Sequence, residues 1–281
     1  MIRKPAVAGL FYDSNPDKLK RDIEHCFENK LGPGKIPKLG KYEKNRIYGA
    51  VVPHAGYAYS GSVAAHAYYE IVQNGFPEIF IILCPNHTGL GTGISVFTEG
   101  VWETPLGKVN IDEEFAKKMV INSESIDSDT SAHTNEHSCE VHLPFLQYFS
   151  DDFKIIPIVM WMQDMESAYE VADAICKTSK ELNKSISIIA STDLTHYEDK
   201  DSAQKKDVLI LDAIENMDEF ALVDAVENNN ISMCGYGPTT ATIKASRDLG
   251  SKKGKILKYA TSGDVSGDLS SVVGYCSAIF E

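Results

Sequence analysis

Short runs that are apolar almost throughout alternate along this chain with longer stretches in which apolar residues recur every three or four positions. The runs IYGAVV (47–52), IFIILC (79–84), GISVF (93–97), KIIPIVMW (154–161), SISIIAS (185–191), KILKYA (255–260) and VVGYCSAIF (272–280) have the length of strands. Near-continuous apolarity of this kind predicts strands covered on both faces of a sheet. The segments between them predict helices over 16–30, 61–74, 112–120, 138–149, 165–182, 201–217, 218–228 and 238–249. The first has Asn15 ahead of it and Pro16 at its first helical position, and the second is stopped by Gly75. Strands alternating with helices predict an α/β sandwich with a mainly parallel central sheet. No Pro/Ser-rich linker or internal repeat divides the chain, and LGPGKIPKLGKYEKNR (31–46) is the one long loop expected, so residues 1–281 read as a single domain.

Composition narrows the function. With 281 residues, 43% hydrophobic and 24% charged, the chain has a full core, and its net charge of −13 argues against nucleic-acid binding, which needs an excess of Lys and Arg. The start MIRKPAVAGLFYDSN has no continuous apolar run of the kind a signal peptide carries. No apolar stretch approaches the ~20 residues that span a bilayer, so the expectation is a cytoplasmic protein without a membrane partner. The six cysteines, at 26, 84, 139, 176, 234 and 276, show no C-x-x-C pair, and most are expected to be buried, reduced thiols.

Candidate chemistry gathers where strands end. In open α/β sheets, ligands collect beyond the carboxyl ends of the strands. There the 47–52 run leads to Pro53 and His54, the 79–84 run to Asn86 and His87, and the 185–191 run to Asp193 and His196. A fourth segment, ISMCGYGPTT, sets Cys234 just before Gly235, Gly237 and Pro238, where a helix should begin. The positive end of that helix is expected to lower the pKa of the thiol. A fifth, NEHSCEVHLPFLQYF, carries His137, Glu140 and His142. At 100° per residue the first two share a helix face and the third points away, a spacing that is not a zinc-protease motif.

The ordered motifs RKPAVAGLFY, VPHAGYAYSG, PNHTG, EHSCEVHLPFLQ, STDLTHY and MCGYGPT make the chain similar, over essentially its whole length, to the Memo family. Microbial members of that family are called AmmeMemoRadiSam system protein B. The resemblance implies a fold like that of the LigB-like class III extradiol dioxygenases. It implies His54, His87 and Cys234 as metal ligands, and Asp193 and His196 as further pocket residues. Cysteine stands where those dioxygenases place a carboxylate, so zinc or copper competes with Fe(II). The family's system name implies a radical-SAM protein and an Ammecr-type protein as partners.

Three functions follow as expectations. In the first, a non-haem metal centre serves a redox or hydrolytic reaction on an unknown small molecule, with Asp193 orienting a histidine and His196 acting as general acid/base. In the second, Cys234 is a metal-free nucleophile activated by His54 or His196. In the third, the helix start at Gly237 captures an anionic or phosphotyrosine-bearing peptide, flanked by Tyr57, Tyr59 and Tyr236.

Overall fold

The computed structural model describes residues 1–43 and 46–281. Positions 44 and 45 of the expected long loop lie outside the described residues, and the rest of 31–46 forms neither helix nor strand. The described strands are β1 (Ile2–Arg3), β2 (Gly49–Val52), β3 (Ile79–Pro85), β4 (Ile94–Val96), β5 (Val101–Thr104) and β6 (Gly107–Ile111). They continue with β7 (Asp127–Ser128), β8 (Lys154–Met160), β9 (Ile186–Ser191), β10 (His196–Glu198), β11 (Gly254–Thr261) and β12 (Val272–Phe280).

Along the sheet the order is β1-β5-β6-β8-β3-β9-β2-β12-β10. Its centre, β8-β3-β9-β2, is parallel throughout, whereas β12 turns antiparallel to β2 and takes β10 and β11 as antiparallel neighbours. Every residue of β2, β3 and β9 is buried, so both faces of the central sheet are covered, as their unbroken apolarity requires.

The described helices are α1 (Pro16–Glu28), α2 (Ser62–Asn74), α3 (Glu113–Ile121), α4 (Leu143–Gln147), α5 (Met165–Leu182), α6 (Lys200–Glu215), α7 (Glu219–Asn228), α8 (Tyr236–Leu249) and α9 (Gly263–Ser266). Among the described residues no helix is long and apolar enough to cross a membrane. The side chain of Asn15 caps α1 by accepting from the amides of Asp17 and Lys18. Helix α2 lies against β2, β11 and β12, and α8 lies against β2, β3 and β9 with α5 packed on it.

One expected helix is corrected, and the expectation of reduced thiols holds for four of the six cysteines. The helix expected over 138–149 is a 3₁₀ turn at Glu140–His142 followed by the short α4. Pro144 has no amide hydrogen and fits only the first turn of a helix, so the α-helix starts at Leu143 rather than at Ser138. Cys84, in β3, and Cys139, just before the 3₁₀ turn, are joined in a disulfide with their Cα atoms 5.7 Å apart, while Cys26, Cys176, Cys234 and Cys276 are free.

Buried histidines make stability pH-dependent. His133 packs edge-on against Phe97 and Trp102, with ring centroids 5.5 and 5.8 Å away. His142 has Nδ1 2.7 Å from the Tyr68 hydroxyl oxygen. Burial first, then Arg3 beside His133 and His137 beside His142, lowers each ring to about 3. Both rings are therefore neutral in the fold and protonate near 6.5 when unfolded, so the stability they favour is complete above that pH and declines as pH falls toward about 3. The decline is about 1.4 kcal/mol per pH unit for each ring. Urea unfolding should show His133→Gln losing less stability than the native chain between pH 7 and pH 5, and equal losses would refute the assignment.

Candidate metal centre

Three neighbouring strands, β3, β9 and β2, end at one edge of the sheet. Their register, with Val52 beside Ser191 and Leu83 beside Ala190, sets their carboxyl ends side by side. Beyond β2, the amide of the buried His54 donates to Asp193 Oδ1 at 2.9 Å, and the Nδ1 of its ring lies 2.7 Å from Ser191 Oγ. Beyond β3, the Asn86 side chain accepts from the amides of Thr88 and Gly89, which turns the chain sharply around the solvent-exposed His87. His87 donates its amide to Glu136 Oε2 at 2.6 Å and has Nδ1 2.9 Å from Glu136 Oε1.

The loop before the 3₁₀ turn brings a third ring. Donor nitrogens of His54, His87 and His137 all lie within 4.8 Å of one another. The rings meet at centroid distances of 5.1 Å (His54–His87), 5.3 Å (His54–His137) and 4.6 Å (His87–His137), and Phe11 packs on His137 at 4.6 Å. Burial first, then the neighbouring imidazoles of His137 and His87, holds His54 well below the usual histidine range. Burial lowers His137 to about 4 against the opposing pull of Glu136. For Glu136, wholly buried, burial would raise the carboxyl, but the hydrogen bonds and charge it shares with His87 prevail and hold it at about 2.

Cys234 sits beside this group. Its Sγ is 3.3 Å from His54 Nε2 and accepts the Asp193 amide at 3.2 Å, but the sulfur does not belong to the set within 4.8 Å. The expected lowering of its pKa by the helix start is overturned. Burial, then the Asp193 carboxylate, pushes the thiol up. Burial likewise raises Asp193, whose Oδ2 is 3.9 Å from His54 Nε2. His196 follows on β10, half-buried, with its amide on Ser232 Oγ at 2.7 Å and Nδ1 2.9 Å from the Ser232 carbonyl.

Two amides at this helix start are already taken by side chains and are not free for an anion. The Gly237 amide donates to Gln163 Oε1 and the Gly235 amide to Thr192 Oγ1, both at 2.9 Å. Gln163 also donates to the Cys234 carbonyl at 2.9 Å. Glycine is required at 237 for packing, since a Cβ there would stand 2.7 Å from Gln163 Cα.

The expected pairing of His137 with Glu140 does not form, because residues 137–142 are not one α-helix. Glu140 is wholly buried and turned away, accepting from Arg3 Nη1, the Ala6 and Val7 amides and the Tyr12 hydroxyl. Tyr57 is buried too, its hydroxyl donated to the Val141 carbonyl at 2.7 Å, so it supports the site from below rather than lining it. Tyr59 is exposed and Tyr236 half-buried. Sequence reasoning missed Glu136, Ser138 and Ser191. The signal for Glu136 was its place directly before His137 in NEHS, which the H-x-x-E spacing obscured.

Comparison with known proteins agrees over the whole chain. The family described as Memo-like protein matches residues 3–279. A MEMO1 family protein of Methanothermobacter thermautotrophicus is 53% identical over 275 residues, spanning 98% of this chain and 99% of the relative. One from Methanobrevibacter smithii is 52% identical over 282 residues, spanning both chains fully. One from Saccharolobus solfataricus is 50% identical over 284 residues, spanning 100% of this chain and 99% of the relative. The crystal structure of an uncharacterized protein of Escherichia coli K12 shares the fold, with a TM-score of 0.56 at 12% identity, covering 83% of this chain and 100% of that one.

Proposed function

The chain belongs to the Memo-like protein family, and from that premise we propose that it is a metal-binding protein whose ion is held by His54, His87 and His137. The observation that carries this reading is the meeting of three imidazole nitrogens within 4.8 Å, delivered by separate segments of the chain. Such rings would repel one another if protonated, and they suit zinc, copper or iron as ligands. Behind His87, the buried Glu136 carboxylate takes the amide and ring of His87 and the amide and hydroxyl of Ser138, the arrangement that orients and strengthens a ligating imidazole. Fe(II) is the ion proposed first, with zinc and copper as competitors.

When bound, the ion would supply Lewis acidity and, if redox-active, electron transfer to a small molecule. Cys234 stands ready beside His54 as an additional soft donor, and Asp193, on the loop after β9, and His196, at the start of β10, are the proton-transfer groups. Metal analysis of protein purified with and without oxygen should find about one transition-metal ion per chain. Chains free of metal in both preparations, and unable to take up Fe(II) or Zn(II) on titration, would end this reading.

The 3.3 Å contact between Cys234 Sγ and His54 Nε2 favours a second reading, in which the thiol is a nucleophile and His54 its base. In metal-free protein at neutral pH, an alkylating reagent should then modify Cys234 faster than the half-buried Cys176.

A further inference from the structure

We propose that Ser191 and Glu136 are positioning residues that fix which nitrogen of His54 and of His87 carries the proton, so that both rings offer a bare Nε2 to one ion. The proposal rests on the metal-centre reading. It starts from a count of protons. The Ser191 hydroxyl has one hydrogen, and the buried Ser138 carbonyl lies 2.7 Å away to receive it. Toward His54 Nδ1, also at 2.7 Å, the same oxygen is then left with acceptor lone pairs only, so the imidazole must donate from Nδ1. The opposite assignment, with Ser191 donating to the ring, leaves the Ser138 carbonyl unpaired at a cost of about 1–3 kcal/mol.

The second lock is simpler. An ionised carboxylate accepts and cannot donate, so Glu136 Oε1, 2.9 Å from His87 Nδ1, takes its hydrogen from the ring. Ser138 ties the two locks together. Its amide and hydroxyl donate to Glu136 Oε1 at 3.0 and 2.7 Å, while its carbonyl holds Ser191. A single residue between the two partners therefore sets the tautomers of rings that come from different strands. Outer partners that fix a ligand's tautomer and orientation commonly carry 10–100-fold of metal affinity.

The tautomers are readable without any metal. Long-range nitrogen–proton NMR of chelator-treated protein labelled with ¹⁵N-histidine, with His54→Gln and His87→Gln used for assignment, should place the proton of both rings on Nδ1. In Ser191→Ala the His54 signal should move toward the other tautomer, and Zn(II) affinity by calorimetry should fall about 10–100-fold. Ser191→Thr, which keeps a hydroxyl, should restore both. Glu136→Ala should do to His87 what Ser191→Ala does to His54. A proton on Nε2 of either ring in the native chain, or an unchanged His54 signal in Ser191→Ala, would overturn the proposal. Tautomers as stated with no zinc bound would overturn the role of the locks in metal binding and the metal centre with it, leaving only the hydrogen-bond assignment.

Discussion

Alanine at His137 is expected to weaken Zn(II) or Fe(II) binding at least about a hundredfold, more than the loss of an outer partner carries, whereas alanine at Cys234 should weaken it about tenfold or less. The contrast follows from geometry and from protons. The His137 nitrogen already lies within 4.8 Å of the donor nitrogens of His54 and His87, so little movement closes three donors around one ion. The Cys234 sulfur is near His54 alone and is held by the Asp193 amide at 3.2 Å. A neutral imidazole binds a cation without losing a proton. The thiol must lose one, against both burial and the Asp193 carboxylate. Competition against a chelator of known affinity, under anaerobic and reducing conditions, measures both variants on one scale. If Cys234→Ala loses more affinity than His137→Ala, the thiolate is the third ligand, as the family resemblance implies, and His137 belongs to the pocket wall.

The frame of this site was legible in the chain because the central strands are apolar from end to end. Their ends could be read directly: the run closing at Val52 delivers His54, the one closing at Cys84 delivers His87, and the 185–191 run delivers Asp193. Strands β1, β5, β6, β7 and β10 escaped notice because they are short or half-exposed, and their pairing is set by tertiary contacts rather than by a local pattern. The part misread was 136–142. A helical wheel drawn through it joined His137 to Glu140, but Pro144 defers the helix, and the irregular backbone turns His137 and Glu136 to the site and Glu140 to the other side. Ser191 was hidden for a different reason. As the last residue of a buried strand it looks like a packing residue, and only the 2.7 Å approach to His54 reveals its use.

Alanine at Glu140 should then cost folding stability rather than metal. The carboxylate is wholly buried and closes the N-terminal segment onto the fold, taking the Arg3 guanidinium, the Ala6 amide at 2.7 Å, the Val7 amide at 3.1 Å and the Tyr12 hydroxyl. Removing it leaves Arg3, only 5% exposed, as a buried cation held by the His133 and Glu136 carbonyls and by the face of the Trp102 ring, whose centroid is 4.3 Å from its guanidinium carbon, with no anion beside it among the described residues. Loss of one member of a buried ion pair costs about 3–5 kcal/mol, because the other charge stays desolvated. Replacing both members with apolar residues, as in Arg3→Met with Glu140→Leu, should cost less than the sum of the single changes, since no charge is then stranded. Urea unfolding gives the stabilities, and zinc titration of the folded protein gives the affinity, which should stay within about twofold of the native value, well short of the 10–100-fold that a ligand's partner carries. A destabilisation under about 1 kcal/mol would show that the charge is not stranded as the buried pair requires. A fall in zinc affinity comparable to that of His137→Ala would return Glu140 to the metal site.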